Sequence, residues 1–157
     1  MRDALIVSTA RTPLGKSYRG TFNNTTAPTM AGWSIEEAVK RSGVDPSKVD
    51  DVIMGAALQQ GTTHANIARN AALAAGLPVT VSGMSLDRQC SSGMMAIATA
   101  AKQIISDGMD VVVGGGLDSI SLVQTKKMNL DRYVDNKLVA KHNHIYMPII
   151  QTAEVVA

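Results

Sequence analysis

The stretch Val81-Ser82-Gly83-Met84-Ser85-Leu86-Asp87-Arg88-Gln89-Cys90-Ser91-Ser92-Gly93 decides how this chain folds. Its first six residues have strand-forming composition, in a mixed pattern that suits a sheet edge or a subunit contact. The next seven are short, polar or small. They lead into residues 91–106, where Met94, Ile97, Ala98, Ala101, Ile104 and Ile105 recur at helical spacing, with a stop at Asp107-Gly108. The stretch therefore predicts a strand, a tight turn carrying Cys90, and a helix.

Outward from it, three more β-rich runs appear: residues 4–7, 52–54 and 111–113. Each is apolar at consecutive positions, as in strands buried on both faces. Helical stretches lie between them. Residues 29–41 place Met30, Trp33, Ala38 and Val39 near one face and stop at Ser42-Gly43, and residues 66–75 are Ala-rich and stop at Gly76-Leu77-Pro78. Strands alternating with helices imply crossover units, so the predicted class is α/β, with a mostly parallel sheet covered by helices. The order fades after Ser121. Residues 124–146 mix Lys and Arg with Asp and few periodic apolar positions, and Gln151-Thr152-Ala153-Glu154-Val155-Val156-Ala157 reads as opening turns of a helix. This predicts an α/β domain over 1–121 and, over 122–157, a long excursion that is either a lid or the start of an inserted subdomain. It also predicts that the chain is the front portion of a longer protein.

The composition narrows the function. Among 157 residues, 45% are hydrophobic and 18% charged, so a core forms. Fifteen basic against thirteen acidic residues leave +2, which argues for neither nucleic acid nor membrane as partner. One Cys excludes an intrachain disulfide framework and a Cys-based zinc cage. No apolar run approaches a membrane span, and the N-terminal apolar stretch is too short for a secretory signal, so the expected location is cytoplasmic.

Three motifs resolve as structure. Ala10-Arg11-Thr12-Pro13-Leu14-Gly15-Lys16-Ser17 approaches a phosphate loop, but Pro13 removes an amide and no helix follows. Gly114-Gly115-Gly116-Leu117-Asp118-Ser119 imitates a dinucleotide fingerprint, yet its glycines are explained by a strand end passing close to another backbone. His142 and His144 are two ligands where a closed metal site needs about four. No metal is expected.

Cys90 carries the chemistry. At a helix start the unpaired amides of the first turn favour thiolate over thiol, which populates the nucleophile. The same amides are an oxyanion hole for an attacked carbonyl. Ser91, Ser92 and Gly93 are small enough to let a thioester approach. A lone Cys is usually a small buried hydrophobe, and here the strand–Cys–Ser–Ser–Gly–helix order favours the reactive reading.

At this segment the chain resembles the thiolase family, the acetyl-CoA acetyltransferases and 3-ketoacyl-CoA thiolases. The likeness extends to Val7-Ser8-Thr9-Ala10-Arg11-Thr12-Pro13-Leu14-Gly15-Lys16, to residues 66–78, to Gly114-Gly115-Gly116-Leu117-Asp118-Ser119-Ile120-Ser121 and to Thr152-Ala153-Glu154. The resemblance implies that Cys90 takes an acyl group from a CoA thioester and passes it on in Claisen condensation or thiolysis. CoA thioesters are then substrates and no cofactor is needed. Partners are acyl-CoA and CoA, and the full-length subunits form homodimers or homotetramers. Each subunit has two similar halves, and the first half gains its fifth strand only after the loop domain. An uncovered sheet edge and exposed apolar surface follow, so the isolated chain is expected to associate.

Departures from the pattern are specific. The family's Gly-His-Pro histidine, its second Cys in Cys-x-Gly and its oxyanion-hole Asn are absent from these 157 residues. Pro148-Ile149-Ile150-Gln151-Thr152 stands where many members have His-Met-Gly-x-Thr, which makes Ile149 an apolar wall for the acyl chain. Two other readings stay open: a condensing synthase such as a ketoacyl or hydroxymethylglutaryl synthase, and a truncated non-catalytic thiolase-like or lipid-carrier fragment.

Overall fold

A computed structural model describes residues 2–157. Three parallel strands form the sheet: β1 (Asp51–Gly55), β2 (Ser82–Leu86) and β3 (Val112–Gly116), in the order β2-β1-β3. Asp51 pairs with Ser82 on one side and with Val112 on the other. Helix α1 (Ala27–Ser42) leads into β1, α2 (Ile67–Ala74) joins β1 to β2, and α3 (Ser92–Lys102) joins β2 to β3. β1 is buried along its whole length, as its continuous apolar run predicts. β2 has the mixed exposure of an edge strand.

Local chemistry sets the helix ends. α1 has Pro28 in its first turn, Lys40 and Arg41 in its last, and Gly43 in the left-handed region at φ 69, where its amide closes on the Lys40 carbonyl. The Asn66 side chain accepts from the Arg69 amide to cap α2, and also donates to the Gly83 carbonyl of β2. α3 passes into a wide π-type turn over residues 103–107 and stops at Gly108, φ 78.

The core has two sides. Val52 and Met54 face α1 and α2, meeting Ala31, Ile35, Ile67 and Ala71, whereas Ile53 faces Ala96 and Ala100 of α3. A sheet covered by helices on both faces is the expected α/β arrangement. The faces of two helices differ from their predicted ones. α1 buries Ala27, Ala31, Ile35 and Val39, and leaves Trp33 47% exposed. α3 buries Ser92, Ala96 and Ala100, while Met94 is 76% and Ile97 48% exposed. The reason is proximity: a Cβ added at Gly114 of β3 would come within 2.9 Å of the Ile97 α-carbon. Only small residues fit between helix and sheet there, so the larger side chains turn outward.

The predicted first strand is also corrected. Residues 4–7 belong to no sheet, and Leu5, Ile6 and Val7 are largely exposed. The segment runs beside β3 and is tied at both ends. Arg2 pairs with Asp110 and donates to the Gly108 carbonyl, while the Tyr18 amide donates to Ser121 Oγ and the Tyr18 hydroxyl to the Gln124 carbonyl. Between the ties the Thr9 carbonyl accepts from the Arg41 guanidinium at 3.0 Å, but no backbone–backbone hydrogen bond joins residues 2–15 to any other described residue. A cavity of about 720 Å³ lies there instead, with residues 4–15 on one side and β3 on the other. The Ser8 hydroxyl is enclosed without a partner. A strand exists only through its ladder, and this run has no neighbour to pair with.

Beyond β3 come a short α4 (Ile120–Val123), then α5 (Asn136–Lys141) and α6 (Ile149–Val156). α5 and α6 have no substantial packing against the sheet or its helices. No helix among the described residues is long and apolar enough to cross a membrane.

Candidate functional site

The C-terminal ends of β1 and β3 meet the start of α3 without intervening side chains. A Cβ at Gly55 would drive into the Ser92 carbonyl, and one at Gly116 would lie 2.7 Å from the Gly93 α-carbon. Three glycines on three elements thus seat the helix N-terminus on the strand ends. This is the close backbone approach expected of Gly114-Gly115-Gly116.

The turn before α3 is held under strain. Gln89 has φ +49, an unusual state for a residue with a side chain, of order 1–3 kcal/mol. Its surroundings enforce it. Asp87 Oδ1 accepts from the Gln89 amide at 2.6 Å, and the buried Ser92 hydroxyl donates to the Gln89 carbonyl at 2.6 Å. Ser92 Oγ also accepts from the Arg88 amide at 2.8 Å, and the Ser91 and Ser92 amides close on the Arg88 and Gln89 carbonyls. Cys90, carried by this knot, is exposed and unpaired.

Cys90 lies two residues ahead of the helix, since α3 begins at Ser92 with Ser91 as its N-cap. The predicted helix begins one residue earlier. Two amides remain free at the helix start: among the described residues, no acceptor takes those of Gly93 and Met94. Cys90, Gln89 and Ser92 share a cleft of about 300 Å³ with Gly55, Gly93 and Gly116 and with Leu117 and Asp118. Asp118 reaches this cleft from the β3 exit. Its carboxylate accepts from the amides of Ala57 and Leu58 at 3.2 and 3.4 Å. Burial, with a further push from neighbouring Asp87, raises the Asp118 carboxyl above its ordinary value, against the two amide bonds.

The other sequence candidates lie elsewhere. Ile149 opens α6, is 79% exposed, and does not line the Cys90 cleft. His142 and His144 are exposed, and no group of three metal-ligand side chains forms among the described residues. Residues 17–24 form turns where a phosphate loop needs a helix. Sequence reasoning missed Asp87, Ser92 and Asp118 as site residues. For Asp87 a signal existed, because an Asp two residues before an amide it can accept is a common turn former. Asp118 had none, because its partners are sixty residues away.

Comparison with known proteins identifies the family. A family model described as "Thiolase, N-terminal domain" matches residues 4–153. The 3-ketoacyl-CoA thiolase of Bacillus subtilis (strain 168) is 36% identical over 157 residues, all of this chain and 40% of that protein. The acetyl-CoA acetyltransferase of Cupriavidus necator is 40% identical over 121 residues, 77% of this chain and 30% of its own. The crystal structure of the Bacillus anthracis acetyl-CoA acetyltransferase superposes with a TM-score of 0.76 at 43% identity, covering 87% of this chain and 34% of that one. The chain spans 30–40% of the length of these relatives.

Proposed function

This chain belongs to the thiolase family, and from that premise we propose that the whole protein is an acyltransferase using Cys90 to carry the acyl group between CoA thioesters. The observation that carries the reading is the strained turn, which holds an exposed sulfur just ahead of a helix start whose Gly93 and Met94 amides are unclaimed. In the first half-reaction Cys90 Sγ attacks the thioester carbonyl carbon. The bond to the CoA sulfur breaks, CoA leaves as its thiol, and a new thioester forms on Cys90. The Gly93 and Met94 amides are the donors for the oxyanion of the tetrahedral intermediate. In the second half-reaction the acyl group passes to the α-carbon of acetyl-CoA, in condensation, or to free CoA, in thiolysis.

The proton acceptor comes from outside these residues, because a Gly-His-Pro histidine and a second Cys are absent from them. The reading requires no cofactor, and CoA serves only as substrate. It takes a homodimer or homotetramer of whole subunits in the cytoplasm as the working form. Ile149 acts as an acyl-chain wall once α6 is packed against the rest of the subunit. The cavity beside β3 receives a further strand of the whole subunit, since its two long walls are unpaired backbone edges that a strand satisfies and a lipid chain does not.

The test is covalent labelling. Whole protein incubated with radiolabelled acetyl-CoA should carry one acetyl group per subunit on Cys90, and Cys90→Ser should lose both the label and turnover. Labelling of another residue, or full turnover in the variant, would end the proposal.

A further inference from the structure

We propose that Asp118 is the positioning residue of the Cys90 cleft, its carboxylate tying the exit loop of β1 to the end of β3 and so fixing Gly116, Leu117 and Asp118 itself as the wall against which the acyl thioester lies. The backbone ladder between β1 and β3 ends at the cleft. Its last bond joins the Leu117 amide to the Gly55 carbonyl at 3.0 Å. On the opposite side of β1, the Ala56 amide still reaches the Leu86 carbonyl of β2 at 3.0 Å. The next two amides, Ala57 and Leu58, have no backbone acceptor, and Asp118 Oδ1 takes both. One side chain thus adds a final rung where the sheet has stopped.

The rung is placed for function. Asp118 is the charged side chain among those lining the Cys90 cleft. Two carboxylates then divide the work: Asp87 fixes the turn that carries the sulfur, and Asp118 ties the β3 side of the cleft to the exit loop of β1. The fixed loop reaches further. The Thr63 hydroxyl donates to the Leu58 and Gln60 carbonyls, and Gln60 Oε1 accepts from the Asn129 amide at 2.8 Å. The hold on Ala57 and Leu58 therefore extends to the segment after α4 through Gln60 and Asn129. A displacement of about 1 Å at such a wall costs up to about 100-fold in rate, because the thioester no longer meets the nucleophile in line.

This inference rests on the acyl-transfer reading for its catalytic consequence and on the amide bonds alone for the hold itself. Both are tested in the whole protein with Asp118→Asn, which keeps an acceptor, and with Asp118→Ala and the near-isosteric Asp118→Leu, which do not. Hydrogen exchange at the Ala57 and Leu58 amides should quicken at least about tenfold in Ala and Leu and stay within about threefold of wild type in Asn. Acylation of Cys90 by acetyl-CoA should fall about 10- to 100-fold in Ala and Leu, through kcat with KM changed less than about threefold, and recover in Asn. Unchanged exchange in both Ala and Leu overturns the hold. Faster exchange with unchanged acylation overturns the positioning role, and so does an Asn variant as slow as Ala. If wild-type Cys90 takes no acyl group while the amides respond as stated, the acyl-transfer reading fails, the catalytic part of this inference falls with it, and the hold stands.

Discussion

The buried Ser92 hydroxyl donates to the carbonyl of Gln89 at 2.6 Å, across the residue that carries the exposed sulfur. It also accepts the Arg88 amide, so one hydroxyl closes the turn from both directions. Ser92→Ala would leave Arg88 N–H and the Gln89 carbonyl to find other partners. A loss of about 1–3 kcal/mol in stability is expected, read by urea unfolding of the whole protein. Gln89 should relax out of its left-handed conformation and shift Cys90, lowering the rate of iodoacetamide alkylation. Alkylation at the wild-type rate would show that the knot is dispensable.

Two glycine substitutions should differ sharply. Gly116→Ala pushes its new carbon against Gly93 of α3, so helix and sheet must separate. A cost of about 2 kcal/mol or more is expected, by analogy with overpacked cores, together with loss of activity. Gly43→Ala meets nothing within 4 Å and bears only the cost of φ +69, about 1–2 kcal/mol, with activity kept. Equal melting temperatures for the two variants would contradict the close packing of α3 on the strand ends.

Ile6 is 79% exposed here, which by itself makes Ile6→Asp nearly neutral. If a strand of the whole subunit fills the cavity beside β3, the same substitution buries a charge. The whole protein should then lose at least about 2 kcal/mol or fail to accumulate in folded form. The chain of 157 residues alone should associate in sedimentation velocity and show no thiolysis of acetoacetyl-CoA, since it exposes this edge and lacks the base.

Two carboxylates respond to pH with opposite sign. Hydrogen bonding and charge from Arg2 hold Asp110 below its ordinary value of 3.8. Its contribution is therefore present above 3.8 and lost as pH falls through the lower, folded value. Asp118 is raised, so its protonated form is favoured by the fold: the contribution is present below 3.8 and lost as pH rises through the folded value. In acid titrations followed by thermal melting, Asp110→Asn should flatten the stability curve below 3.8. Asp118→Asn should remove the decline above it. A common direction for the two variants would contradict these environments.

Much of this arrangement is legible in the chain. Gly43 and Gly108 end their helices where a stop signal sits, and Cys90 falls on the turn between a mixed strand and the best helix. The inward face of α3 is not legible, because Ala96 and Ala100 are selected by glycines on β3 that only the folded sheet brings near. Residues 4–7 have a strand's composition without a strand's neighbours, and composition says nothing of neighbours. Asp118 looks like the end of a glycine-rich strand until Ala57 and Leu58 arrive beside it.

The cavity beside β3 has a kinetic meaning as well. Its two walls, residues 4–15 and 111–121, are far apart in the chain, yet both are made before any later segment is synthesised. If a strand from a later segment threads between them, it does so last, at high contact order, and such pairings form slowly. Until then a nascent chain leaving the ribosome displays two bare edges and a row of aliphatic side chains, the kind of surface that chaperones hold and that aggregation consumes.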